Sequence, residues 1–143
     1  MGVEDIIYDI FKEYRASVRQ EEVQRELAKR AYKQIFSLFY YDWITFRDAG
    51  IRANFTFYID EILQKYATIM VQMIPEIGDS LSTAQKDQLV EFVTEIRRIS
   101  ATIEVSEMDD IINQVNQCAK KAKAIFEGES KIKTDIDSRN FEN

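Results

Sequence analysis

Residues 32–58, YKQIFSLFYYDWITFRDAGIRANFTFY, hold ten of the chain's seventeen aromatic side chains, and where those rings go decides the fold. At about 100° per residue, Tyr32, Ile35, Phe36, Phe39, Tyr40, Trp43 and Phe46 share an arc of roughly 140°, the width of a stripe that faces a core. Leu38, Tyr41 and Ile44 fall on the other side of the same helix. A helix that is apolar nearly all round is covered nearly all round, and a small bundle has too few layers to cover its back. Leu38, Tyr41 and Ile44 are therefore the candidate assembly interface, with a second subunit as the simplest cover. The plainer alternative is three apolar residues scattered on an ordinary surface.

Working outward, the same three-and-four spacing recurs along the chain. Val3, Ile6, Ile7, Ile10, Phe11, Tyr14 and Val18 predict a first amphipathic helix, with Glu4, Asp5 and Asp9 near its positive end. Arg19 to Arg30 is mostly charged and unbroken by glycine or proline, so the first helix either runs on into the second or bends near Gln20. The second helix passes through the aromatic stretch to about Arg47 and stops at Asp48, Ala49 and Gly50. Asn54 is a good cap for a third helix with a seam of Phe55, Ile59, Ile62, Tyr66, Ile69 and Met73, ended by Pro75 and Gly78.

Ser82 with Gln85 three residues on has the spacing of a capping box, and Leu89, Val93, Ile96 and Ile99 follow on one face. A break is expected near Glu104, with Ser106 as a fresh cap. Met108, Ile111, Val115, Cys118, Ala122 and Ile125 then form the last helix, with Lys120, Lys121 and Lys123 at its negative end. Long helices and short turns predict an all-α fold: an antiparallel four-helix bundle over residues 1–128, its first helix either continuous or kinked into two. Residues 129–143 are polar and are expected to form a mobile tail unless a partner orders them.

Composition agrees and removes several functions. Four glycines and one proline in 143 residues leave little material for the turns of a β-rich fold. The absence of histidine leaves Ser-His and Cys-His nucleophile activation, and the Glu-x-x-His di-iron sites of helical bundles, without their imidazole. No phosphate-binding glycine loop is present, and the carboxylate pairs Asp60-Glu61 and Asp109-Asp110 read as helix surface and first turn. Cys118, the one cysteine, sits at a seam position and reads as a small buried hydrophobe. No enzyme, cofactor or metal is expected. No apolar run reaches the roughly 20 residues that cross a bilayer, and no secretory leader is recognisable, so an intracellular setting is expected.

A net charge of −6 argues against a protein that coats nucleic acid with its whole surface. The acidity is uneven: residues 1–52 carry nine basic and nine acidic side chains, residues 53–143 ten and sixteen. Arg15 and Arg19, then Arg25, Lys29 and Lys33, recur in steps of four and could track phosphates as a nucleic-acid contact. A solvated face paired with Glu13, Glu21, Glu22 and Glu26 accounts for the same pattern.

The opening GVEDIIYDIFKEYR and the run YKQIFSLFYYDWITF, in a histidine-free helical chain, resemble the major coat proteins of spindle-shaped and two-tailed viruses of hot-acid archaea. The resemblance covers size, helix layout and aromatic character over roughly residues 3–127. It implies a capsid subunit made in the host cytoplasm and carried in the virion, packing against its own copies through apolar helix faces around viral DNA. A paralogue in that virus group inhibits host RNA polymerase from within its DNA channel, which implies an alternative partner for the acidic second half. A generic helical adaptor is the third reading.

Overall fold

The computed structural model describes residues 2–128, and the expected tail at 129–143 lies outside the described residues. Those residues form an all-α bundle of five helices without a strand: α1 (Val3–Ala16), α2 (Glu21–Asp48), α3 (Phe55–Ile77), α4 (Thr83–Thr102) and α5 (Met108–Phe126), with a 3-10 turn at Gly78–Ser80. The expected count of four is corrected to five. The first helix is not kinked but ends, and the chain reverses through residues 17–20. Gln24 Nε2 donates to the Tyr14 carbonyl at 2.9 Å, and Arg30 reaches Glu13 at 3.4 Å, which lays α1 back along the first half of α2.

The other four helices close on each other in chain order. α2 packs on α3 and α5, α3 on α4, and α4 on α5. Cross-helix pairs give their directions: Tyr66 on α3 donates to Asp42 on α2, Ser100 on α4 donates to Asp60 on α3, and Trp43 Nε1 on α2 donates to Asn116 Oδ1 on α5 at 2.8 Å. α1 lies outside this ring against α2 and α3, where its Tyr8 donates to Gln72 at 2.7 Å and Arg15 pairs with Glu76 at 2.8 Å.

The aromatic stretch supplies the centre. Ile35, Phe36, Phe39 and Trp43 are fully buried, and Phe39 stacks edge-on against Tyr66 and Phe92 at ring separations of 5.3 and 5.2 Å. Such edge-to-face contacts add about 0.5–1.5 kcal/mol each to the burial itself. Tyr32 is buried as expected, whereas Tyr40 and Phe46 are only partly covered.

Several helix ends follow their residues. Ser82 caps α4 by a reciprocal box with Gln85, at 3.1 Å to the Gln85 amide and 2.9 Å back from its own amide. Gly50 takes a φ of 67°, the left-handed conformation that ends α2. Other ends differ. Ser106 does not cap α5; its hydroxyl donates back to the Thr102 carbonyl at 2.7 Å, and Glu107 takes the cap position. Asn54 precedes α3 with a left-handed φ of 55° and no side-chain cap bond. Pro75 lies inside α3, which runs on to Ile77, because a proline near a helix end gives up one amide bond without stopping the turn beyond it.

Among the described residues no helix is long and apolar enough to cross a membrane.

Candidate assembly surfaces

The three predicted interface residues do not share one fate. Leu38 and Ile44 are half-buried against the bundle core, while Tyr41 is 56% exposed. Both α1 and α5 pack against α2 and close part of its back, which helical periodicity alone leaves open. Tyr41 stands beside Tyr40 and Phe126 at ring separations of 5.1 and 6.1 Å, and Lys123 lies 5.6 Å over the Tyr40 ring. The surviving surface is therefore an aromatic patch at the α2–α5 seam, centred on Tyr41.

The basic residues divide as well. Arg15 is on α1 and Arg19 in the turn that follows, so the two do not line one helix face. Arg15 and Arg25 instead meet across an open groove of about 770 Å³ that also holds Glu21 and Asp79. Two carboxylates beside two guanidinium groups leave little net field for phosphate. Lys29 and Lys33 sit on α2 with Tyr32, at a shallow groove that Ile125 and Gly128 complete. Cys118 is buried, and burial first, the Glu95 carboxylate second, push its thiol up to about 11, which suits packing better than nucleophilic chemistry.

A second surface escaped the sequence reading. Nine residues of α3 are exposed, and Glu61 is the one charged side chain among them. On α2, by contrast, eight of eleven exposed residues are charged, and on α5 five of seven. Phe57, 65% exposed, begins this charge-poor face, and Tyr58 and Ile51 are also open beside it. Depletion of charge with aromatic enrichment marks the centre of protein interfaces. The signal was present in the sequence: between Ile62 and Pro75 only Lys65 is charged. Periodicity marks the seam of α3 but not this face, because its outer residues Gln64, Thr68 and Gln72 are polar without being charged.

At the end of the bundle where α4 turns into α5, Glu104, Glu107, Asp109 and Asp110 are exposed around Val105, which is 88% exposed. Arg52 from the neighbouring α2–α3 turn approaches the Met108 sulfur at 2.9 Å. This end is acidic.

No family model, curated protein or solved structure matches the chain.

Proposed function

We propose that this chain is a non-enzymatic structural subunit that assembles with its own copies, in the manner of a viral coat protein in a virion shell. One observation carries the reading: the bundle leaves two separate surfaces short of cover, the Tyr41 patch at the α2–α5 seam and the charge-poor face of α3. α3 and α5 occupy diagonal places in the helix ring, so the two surfaces point in different directions. A subunit with one such surface stops at a dimer, whereas two that point apart continue into a chain or lattice. The resemblance of this chain to archaeal viral coat proteins in size, helix layout and aromatic character supports the same reading. Light scattering on a size-exclusion column tests it: association that rises with concentration is expected, reduced by Tyr41→Asp. A wild type that stays monomeric at millimolar concentration removes the proposal.

The acidic α4–α5 end favours a second reading, an inhibitor that binds the basic nucleic-acid channel of host RNA polymerase by charge complementarity. Here the polymerase is expected to co-purify with the wild type and to be lost on Glu107→Lys with Asp110→Lys. Absence of the polymerase from the wild-type preparation excludes this reading.

A further inference from the structure

We infer that α1 is an exchangeable arm: when chains fold together at high concentration, the turn at residues 17–20 straightens into helix, and α1 of each copy enters the groove on α2 and α3 of the other. The occupant of that groove is known, because α1 itself fills it in the single copy. This inference goes beyond the self-assembly reading and uses neither of its two surfaces.

The turn carries few of the signals that fix a helix end. Between α2 and α3, Gly50 and Asn54 take left-handed φ, and a reciprocal box opens α4. Ser17, Val18, Arg19 and Gln20 include neither glycine nor proline, and none has a positive φ, so each can turn helical without strain. Gln20 is a poor cap residue, and among the described residues no side chain caps α2. Every helix end leaves up to four amides or carbonyls without a partner inside the helix. One helix from Val3 to Asp48 pairs the groups that both sides of this turn leave over.

The apolar stripes of α1 and α2 are also in phase across the turn. At about 100° per residue on one unbroken helix, Phe11, Tyr14, Val18, Tyr32, Phe36 and Trp43 fall within roughly 60°. Val18, 72% exposed in the closed form, lies in the middle of that line. A hairpin does not require such phasing, because its two helices turn independently; a single helix with one core-facing side does. In a lone copy the rod leaves Val3, Ile7, Ile10, Phe11 and Tyr14 in water, and the vacant groove of a second copy is the surface shaped to take them. The register agrees. Midway between Tyr14 and Gln24, and between Glu13 and Arg30, lie residues 19 and 21–22, so two antiparallel rods that cross there keep both contacts between copies.

The five side chains bury about 600 Å² of α1. Two exchanged helices and their two grooves then cover about 2,400 Å², above the roughly 1,600 Å² of a stable interface. Because α1 lies outside the ring, its departure leaves the other four helices closed on one another. Chains folded apart stay closed, since α1 must leave its own groove before another copy's α1 can enter, and that opening exposes the whole stripe.

The test uses two full-length variants, Tyr8→Cys and Gln72→Cys, at positions whose side chains meet at 2.7 Å, with Cys118 left in place because it is buried. The two are mixed, unfolded in urea, refolded together at high concentration and treated with a short bis-maleimide. A cross-linked pair with one chain of each kind is expected. Tyr8→Cys alone is expected to give none, because its two copies lie about 35 Å apart along the antiparallel rods. Val18→Gly with Arg19→Gly in both chains is expected to lower the yield tenfold or more, since glycine disfavours helix through the turn and is tolerated in the folded-back form. Absence of the mixed pair, or a yield that the two glycines leave unchanged, overturns the exchange. If the wild type associates in light scattering but gives no mixed pair, self-assembly stands on other surfaces and the exchange is wrong. A mixed pair from chains that stay monomeric when folded apart supports the exchange and removes the self-assembly reading instead.

Discussion

Trp43 shows how much one side chain decides. It is wholly enclosed, and its indole nitrogen donates to Asn116, which also accepts from Arg47 at 3.0 Å. Truncation by Trp43→Ala removes the largest side chain of the core and leaves Asn116 short of a donor, so a loss of about 3–5 kcal/mol is expected in urea unfolding. Two phenols and the Cys118 thiol, raised from 9.0 to about 11, carry the alkaline pH dependence. Burial raises Tyr32 from 10.0 to about 12. Tyr66 is raised further by burial and by its hydrogen bond to the Asp42 carboxylate. A phenol whose folded value is raised contributes stability that is whole below its unfolded value and lost as pH rises through the folded one. The same holds for the thiol, so stability should fall above about pH 9, first through Cys118 and above about pH 10 through the phenols, and Tyr66→Phe should flatten the later part of that fall when unfolding is followed across the alkaline range. The sequence placed Trp43 and Tyr66 inward by periodicity, yet neither Asn116 nor Asp42 could be named, because a hydrogen-bond partner 73 or 24 residues away depends on which helices meet.

At the scale of the element, the helices followed their seams and their ends followed local chemistry only in part. Ser82 was legible because both halves of its box lie within four residues. Ser82→Ala should cost about 1 kcal/mol in thermal or urea unfolding, and Gln85→Ala should lose a smaller part of the same stabilisation. Ser106 was not legible: the same residue type before an acidic first turn spends its hydroxyl on the preceding helix instead. The reversal between α1 and α2 left no glycine or proline to mark it. What makes it is burial, since Val3, Ile7, Ile10, Phe11 and Tyr14 find cover only when α1 folds back against α2 and α3. A continuous α1–α2 rod would leave that whole stripe in water, at a cost of about 1.5–3 kcal/mol for each large side chain.

For the whole molecule, the question is how many surfaces remain after the five helices have covered one another. Among the described residues Tyr41 and the outer side of α3 remain apolar or charge-poor, and a subunit that uses both should respond to their loss separately. Tyr41→Asp and Thr68→Glu are each expected to shorten the assemblies seen by light scattering, and the two together to give a monomer with unchanged circular dichroism. A double variant that still assembles would move the interface elsewhere, and the acidic α4–α5 end is then the next surface to alter. Additivity is expected because the two sites share no partner.

The sequence by itself determined the class of the fold and the identity of most of the core, because helical periodicity and the inward preference of aromatic and branched side chains are local properties. The Phe36, Phe39 and Trp43 stripe needed nothing more. Tertiary structure decided the rest: that the described residues form five helices, that packing half-covers Leu38 and Ile44 and leaves Tyr41 open, and that Glu61 is the one charged side chain among the exposed residues of α3. Exposure is a property of what a neighbouring helix leaves uncovered, and no window of residues contains its neighbour.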